Sequence, residues 1–195
     1  MGVSLVMCKV NYAQESGTFT DPRDHRHYDY ISIGDQVWMD DNMEYETENG
    51  SWIYDSHNDS VNDINRVLYG RLYTWEAAQE ACPPGWHLPS REEWETLFEY
   101  LGGRGVAGGK MKVEGDAWAG SNAGATNESG FTAYPGGWRD TSGDFGLKDN
   151  FAYFWSATPS GKYLAYRVEL AYKAGWVNPK TSEKEMGMSV RCLKD

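Results

Sequence analysis

The chain has 195 residues, of which 29 are acidic and 18 are basic, so its formal net charge is −11 at pH 7. This length suits one domain with a full core, and the negative charge argues against nucleic acids and anionic membrane surfaces as partners. The sequence contains no run of about eighteen apolar residues, so it predicts no membrane insertion.

The N-terminal segment Met1–Ala13 contains a short apolar run without a basic region before it. It is too short for a convincing signal peptide, and it reads as a residual export segment or a first strand. We assign residues 1–16 to an N-terminal extension and residues 17–195 to one domain.

Strands are predicted at the start of this domain. Polar and apolar residues alternate over Tyr28–Ile33, Gly34-Asp35 is a turn signal, and Gln36–Met39 can pair back as a β-hairpin. We interpret Trp38 in the second strand as a core residue.

A polar segment, Glu44–Asn65, follows and predicts a long surface loop. Its acidic and amide residues suggest a calcium site, but their spacing is not that of an EF-hand. Turn-forming residues are the preferred interpretation. The residues considered are Asp55, Asn58, Asp59, Asn62 and Asp63.

The segment Tyr69–Leu101 predicts two helices joined by a tight corner. Thr74 is a candidate N-cap, and Pro83-Pro84-Gly85 ends the first helix because proline cannot continue it. Ser90 and Glu93 form a capping box for the second helix. Its apolar stripe contains Trp94, Leu97, Phe98 and Leu101, and Gly102-Gly103 ends it. The glycine-rich segment after it, Gly102–Gly109, lacks the ending of a phosphate-binding loop and predicts a flexible connection.

The last third of the chain predicts a small β-sheet. Tyr153–Thr158 and Leu164–Ala171 have strand patterns, and Met186–Leu193 closes the domain as a third strand. Leu164–Ala171 alternates between two faces. Tyr172–Glu185 lies between these strands and predicts a polar and aromatic hairpin or loop.

Several motifs in a fixed order carry a family resemblance. They are YGRLYTW, CPPGWHLPS, GATNESGFTAYPGGWRD, FWSAT and the terminal GMSVRCLKD, within a match from about Gly17 to Asp195. Together they resemble the Fibrobacter succinogenes major paralogous domain, a bacterial family within the C-type-lectin-like group. The resemblance implies an α+β, C-type-lectin-like fold with two helices, small antiparallel or mixed sheets and long loops.

The resemblance also implies a disulfide bond between Cys82 and Cys192. In this fold, a cysteine at the end of the first helix pairs with one on the last strand. In the chain-entropy model such a bridge stabilises the domain by roughly 4–5 kcal/mol. Two buried free thiols are the alternative. Cys8 lies outside the resemblance and is expected to be unpaired.

Catalytic motifs are missing from the sequence. Related formylglycine-generating enzymes need a redox-active cysteine pair or a thiol copper site, whereas Cys82 and Cys192 are better explained structurally. The sequence has no GxSxG elbow and no H-x-x-x-H-x-E pattern. His25 and His27 have the spacing of a metal pair on a strand, but no third ligand follows. The calcium-ligand motifs of C-type lectins, E-P-N or Q-P-D and W-N-D, are also absent. We therefore predict no enzymatic activity, no cofactor and no metal.

The predicted function is non-enzymatic recognition of a protein or carbohydrate ligand on a cell surface. Diversity-generating-retroelement variable proteins, which belong to the same wider group, diversify the face that corresponds to residues 139–185. A diversified receptor-binding protein is therefore an alternative, and so is a formylglycine-generating enzyme, which is disfavoured. The implied setting is extracellular, or the surface of a cell or virion.

Aromatic, arginine and other polar residues on this face are the candidate ligand-binding residues, because aromatic and arginine side chains are the usual anchors of recognition surfaces. We expect Tyr163, Tyr172 and Trp176 to form one exposed cluster rimmed by Arg167 and Lys173. Ordinary solvated strand faces, with Tyr166 in the core, are the alternative. The complete set is Tyr163, Arg167, Glu169, Tyr172, Lys173, Trp176, Asn178 and Lys180.

Overall fold

The computed structural model describes residues 14–54 and 59–195, in which four helices and several small sheets form a mixed α/β architecture. The helices are α1 (Asp59–Tyr69), α2 (Trp75–Ala81), α3 (Arg91–Tyr100) and α4 (Arg104–Met111). Cys8 and part of the proposed calcium loop lie outside the described residues, as do the side chains of residues 59–63, so neither prediction is tested.

The strands belong to three sheets. They are β1 (Ser16–Thr20), β2 (His27–Ile33), β3 (Gln36–Met39), β4 (Ser51–Ile53), β5 (Arg71–Tyr73), β6 (Trp86–His87), β7 (Trp138–Arg139), β8 (Phe145–Gly146), β9 (Phe151–Pro159), β10 (Leu164–Ala171), β11 (Lys180–Glu183), β12 (Met188–Ser189) and β13 (Leu193–Lys194). The strand orders are β1-β2-β3-β13-β6, β11-β10-β9-β12-β5-β4 and β7-β8.

The central strand β9 is buried on both faces. Phe154 packs with Trp94 and Phe98 of α3 in one apolar cluster, whereas Trp155 packs with Tyr73 in a second cluster. Because side chains alternate across a strand, β9 contributes to both cores at once, and its apolar residues therefore form a nearly continuous run.

The two predicted helices are confirmed as α2 and α3. The Thr74 hydroxyl accepts a hydrogen bond from the Ala77 N–H, and Ser90 and Glu93 form the complete capping box. Leu72 lies before α2, in β5. The predicted hairpin is also confirmed, with Ile33 opposite Gln36 and Trp38 fully buried.

The prediction of only two helices is wrong. Helix α1 occupies the end of the segment that we expected to be a loop, and α4 occupies the glycine-rich segment that we expected to be flexible. Helix α4 forms despite its glycines because Gly108 and Gly109 lie against the backbone of Trp176 and Gly124, where a side chain would not fit. Tertiary packing therefore overrides the low helix propensity of glycine.

The predicted last strand is divided between two sheets. β12 pairs with β5 and β9, whereas β13 pairs with β3 and β6. The segment crosses the interior, so Arg191 is fully buried. Its guanidinium donates to the Asn42 side chain and to the carbonyls of Met39 and Phe131.

The predicted disulfide bond between Cys82 and Cys192 is confirmed. It joins the end of α2 to the segment between β12 and β13, across 110 residues of chain. Across the described ranges, no helix has the length and apolar character needed to cross a membrane.

Candidate functional site

The predicted recognition residues do not form one cluster. Tyr163 directly precedes β10 and Tyr172 directly follows it. Nine residues of extended chain span about 30 Å, so the two side chains lie at opposite ends of the strand. The expected cluster of Tyr163, Tyr172 and Trp176 is therefore wrong, because the strand between them holds its ends apart.

A groove of 760 Å³ lies at the Tyr163 end of β10. It is lined by Thr74 and Glu76 at the start of α2, by residues 162–164, and by residues 183–185. The Tyr163 side chain is 69% exposed, and the neighbouring Leu164 is 37% exposed. This groove combines an exposed aromatic ring with charged side chains.

Backbone hydrogen bonds fix the shape of this groove. The Ser160 N–H donates to the Leu164 carbonyl at 2.8 Å and closes the β9–β10 turn, in which Gly161 has φ of 92°. The Lys184 N–H donates to the Tyr163 carbonyl at 2.9 Å, and the Lys184 carbonyl accepts from the Trp75 N–H at 2.8 Å. The turn, β11 and α2 are thus joined through successive backbone bonds.

A second, smaller groove of 360 Å³ shares Leu164 and Glu183 with the first. Its other walls come from the β7–β8 loop, through Asp140 and Thr141, and from β11. The two grooves therefore adjoin at the Leu164–Glu183 cross-strand pair and follow β11, the edge strand of the six-stranded sheet.

Carboxylates dominate the accessible charges of the larger groove. The Lys184 ammonium lies 3.9 Å from the centre of the Trp75 ring and 3.9 Å from Glu76, and its side chain is largely buried. Glu183 and Glu185 are exposed and, within residues 14–54 and 59–195, form no ion pair. Lys162 is the exposed cation of the lining, and its ammonium lies 4.9 Å from the centre of the Tyr163 ring. The carboxylates outnumber it, so the groove offers a net negative charge to a ligand.

Four of the predicted binding residues form polar contacts with one another in the middle of the sheet. Glu169 accepts from Arg167 at 2.9 Å, from Asn178 at 3.0 Å and from Lys180 at 3.5 Å. Although burial raises the pKa of Glu169, these donors lower it below its usual value. Glu169 is only 7% exposed, so its expected place on an open face is wrong. The network joins β10 to the segment that leads into β11.

Tyr172, Lys173 and Trp176 lie at the opposite end of β10. There the Gly109 N–H donates to the Gly175 carbonyl and the Val177 N–H donates to the Arg104 carbonyl, both at 2.8 Å. The turn is thereby packed against α4. Trp176 is 42% exposed and Lys173 is exposed, whereas Tyr172 is partly buried.

Tyr166 has an intermediate position, because its ring is partly buried beneath the Arg91 guanidinium, 4.6 Å away. It is therefore neither a fully buried core residue nor an exposed contact.

Within residues 14–54 and 59–195, the histidine side chains form no hydrogen bond with a residue of the groove. His87 contacts Asp195 at 2.7 Å and Glu93 at 3.0 Å, while the Ser90 hydroxyl donates to Glu93 instead of His87. Among the described residues, the one group of three possible metal ligands is Asp29, Asp40 and Asp41 on the β2–β3 hairpin. It includes neither His25 nor His27.

Sequence reasoning missed the groove residues Glu76, Leu164, Glu183 and Glu185. A signal was available, because Ser160-Gly161 is a turn signal between two predicted strands and Tyr163 follows it directly. The pairing of β11 with β10, which brings Glu183 opposite Leu164, had no such signal.

A scan against protein-family models matches residues 31–194 to the Fibrobacter succinogenes major domain. Searches of curated proteins and of solved structures gave no match. The matched range covers the paired strands β3 to β13, all four helices and both grooves. The chain therefore belongs to the Fibrobacter succinogenes major domain family.

Proposed function

We propose that this protein is a non-enzymatic recognition module that binds its ligand in the groove beside Tyr163. The observation that carries this proposal is the 69% exposed Tyr163 ring on the wall of a 760 Å³ groove. Ligand sites commonly have volumes of about 300–1,000 Å³, and tyrosine gives a large contact area at a small entropic cost.

Binding without catalysis is supported by the position of the cysteines. Cys82 and Cys192 are joined to each other, and Cys192 is fully buried in the core that contains Tyr73 and Trp155. A formylglycine-generating site would need accessible thiol chemistry from the two cysteines of the matched domain. Their use in a structural bridge supports recognition as the function.

A C-type-lectin-like fold is part of this proposal. The disulfide between the end of the first signature helix and the C-terminal segment supports it, as does the capped second helix against the central sheet. The additional helices α1 and α4 are elaborations in this interpretation. An extracellular or surface setting agrees with the disulfide, since such bonds persist in oxidising compartments.

A diversified receptor-binding protein of a retroelement is the second candidate. The groove favours it because the walls come from the turn at residues 160–163 and from edge strand β11, where substitutions would leave the two cores intact. The test is the nucleotide sequence around the gene. An imperfect copy of the 3′ segment that differs mainly at adenines supports this candidate, and the absence of such a copy counts against it.

Ligand titrations followed by amide NMR test the main proposal. Two panels, one of soluble oligosaccharides and one of short acidic, neutral and basic peptides, are titrated into the uniformly ¹⁵N-labelled chain. We expect at least one ligand to shift amides within residues 160–164 and 181–186. Shifts confined to residues 172–177, or no shifts with either panel, would contradict the proposed site.

A further inference from the structure

The outer edge of β11 has unused backbone hydrogen-bonding groups. Glu169 and Asn178 exchange two backbone hydrogen bonds, at 3.2 and 3.0 Å, and the Lys184 N–H donates to the Tyr163 carbonyl. Because bonded pairs alternate along an antiparallel ladder, Thr181 and Glu183 lie at the non-bonded positions opposite Tyr166 and Leu164. Their N–H groups therefore point away from β10.

These groups face the open side of the sheet. β11 is the last strand in the order of the six-stranded sheet. By this alternation the ladder with β10 does not use the Thr181 N–H and carbonyl or the Glu183 N–H, and no turn or loop of the described residues bonds to them. The Glu183 carbonyl accepts from the Met186 N–H. An edge of this kind is a template for an additional strand.

The charges beside this edge favour an added strand that carries positive charge. Glu183 and Glu185 are exposed carboxylates without an ion-pair partner among the described residues, and Asp140 lines the adjoining groove. Of the nearby lysines, Lys180 approaches Glu169 and Lys184 approaches Trp75 and Glu76. Lys162 also lines the groove, with its ammonium 4.9 Å from the centre of the Tyr163 ring, but the carboxylates outnumber it. The whole chain carries a net charge of −11, which also attracts a basic partner.

We infer that the occupant of the groove is an extended, lysine- or arginine-rich segment of a protein partner, which adds to β11 as a further antiparallel or parallel strand. The segment bonds to the outward groups of Thr181 and Glu183, and its cations lie against Glu183 and Glu185. The Tyr163 ring is 69% exposed, although the Lys162 ammonium already lies 4.9 Å from its centre, so the ring offers an apolar surface to the stems of the same side chains. This inference rests on the proposed function, because it names the ligand class of that groove.

Three synthetic peptides separate charge from strand addition. The first has four valine–lysine repeats, and the second has four valine–glutamate repeats. The third is the lysine peptide methylated at every backbone nitrogen, which keeps the charge but removes the hydrogen-bond donors of both edges. Dissociation constants are measured by fluorescence anisotropy, and ¹⁵N amide shifts locate the contact.

We expect the lysine peptide to bind and to shift the amides of Thr181 and Glu183. The glutamate peptide should not bind, and methylation should weaken binding by about tenfold, because one hydrogen bond corresponds to roughly that factor. Equal binding of the methylated and unmodified lysine peptides would overturn strand addition. Failure of the lysine peptide to bind would overturn the inference as a whole.

Two protein variants test the role of charge by changing the protein instead of the peptide. E183K/E185K reverses the charge of the groove and should abolish binding of the lysine peptide. Its matched control is E114K/D116K, which makes the same charge change at exposed residues in the loop after α4 and should retain most of the affinity. Equal losses of affinity in both variants would show a general charge effect and overturn the assignment to the groove.

Thr181→Pro removes an outward N–H that β10 does not use, so it should weaken the lysine peptide by about tenfold. Thermal unfolding shows whether this variant is folded, and the methylated peptide tests the same bond in the unchanged protein. An oligosaccharide that shifts residues 160–164 and 181–186, while the lysine peptide does not, would overturn this inference and leave the proposed function standing. Absence of binding by either class would reject both.

Discussion

The two ends of strand β10 look alike in sequence but differ in how they are held. Each end has an aromatic residue beside a lysine, Lys162-Tyr163 at one end and Tyr172-Lys173 at the other. At the first end the side chains project into a groove, whereas at the second end the backbone of the turn packs against α4. Residue type therefore does not identify a recognition surface, and the packing of the backbone beneath it is the better guide.

Gly108→Ala should have the largest effect on the free energy of unfolding. It tests whether the backbone of the Trp176 turn, at the second end of β10, packs against α4. A Cβ atom at Gly108 would lie 2.5 Å from the Trp176 carbonyl oxygen. Overpacking of this kind costs about 1–3 kcal/mol, and a backbone atom cannot rotate away. Urea denaturation of both proteins measures the difference in the free energy of unfolding.

The matched control for this substitution is Gly105→Ala on the same helix, where a Cβ atom meets no atom within 4 Å. It should stabilise the protein by up to about 1 kcal/mol, because alanine has the higher helix propensity. Equal effects of the two substitutions would contradict the close contact between α4 and the Trp176 turn.

Lys112, beside the second end of β10, should make the stability of the protein depend on pH. Its ammonium donates to the carbonyls of Ala123 and Ala171, and burial lowers the pKa of Lys112 to about 8. A lowered pKa in a base means that the unfolded chain binds more protons above pH 8, so stability should rise as the pH increases. We expect a gain of about 1 kcal/mol between pH 8 and 9.5.

Lys112→Met should remove this rise, and urea denaturation at several pH values measures it. The buried tyrosines with raised pKa values, such as Tyr28 and Tyr69, act in the opposite direction only above about pH 10, where the unfolded chain begins to ionise. A rise that persists unchanged in Lys112→Met would show that Lys112 is not its source.

His87 lies in β6 of the five-stranded sheet, away from both ends of β10, and should have a smaller effect on the pH dependence of stability. Although partial burial lowers its pKa, hydrogen bonds with Asp195 and Glu93 raise the pKa of His87 above its usual value. The stabilisation is therefore complete below about pH 6.5 and is lost as the pH rises through the raised pKa. Because the side chain is 37% exposed, the effect should be small.

His87→Gln should flatten the pH dependence above pH 6.5 and leave the rise due to Lys112 intact. Thermal unfolding across this range provides the measurement. Loss of the Lys112 effect in this variant would show that the two groups are coupled.

Local signals in the sequence predicted the elements that depend on local chemistry. The capping box of Ser90 and Glu93 and the hairpin around Gly34 follow from neighbouring residues, and β10 has the predicted bounds. The disulfide followed from the family resemblance. Helix α4 could not be predicted, because its glycines are helical only through contacts with the distant backbone of Gly124 and Trp176.

The candidate site was predicted only in part, for a similar reason. Tyr163 is exposed as expected, but Glu183 and Glu185 reach the same groove through the pairing of β11 with β10. The separation of Tyr163 from Tyr172 was already implied by the predicted strand between them. The error lay in treating one sequence segment as one surface.

The most direct test of the recognition site compares Tyr163→Ala with Trp176→Ala. The probe is the oligosaccharide or peptide that gives the largest amide shifts in the NMR panels, and affinity and melting temperature are measured for each variant. Because Tyr163 is mostly exposed, its substitution should leave the melting temperature almost unchanged and weaken binding by about tenfold or more. Trp176→Ala should retain wild-type affinity. Loss of binding in Trp176→Ala at an unchanged melting temperature, with full binding in Tyr163→Ala, would place recognition at the opposite end of β10 and contradict the account.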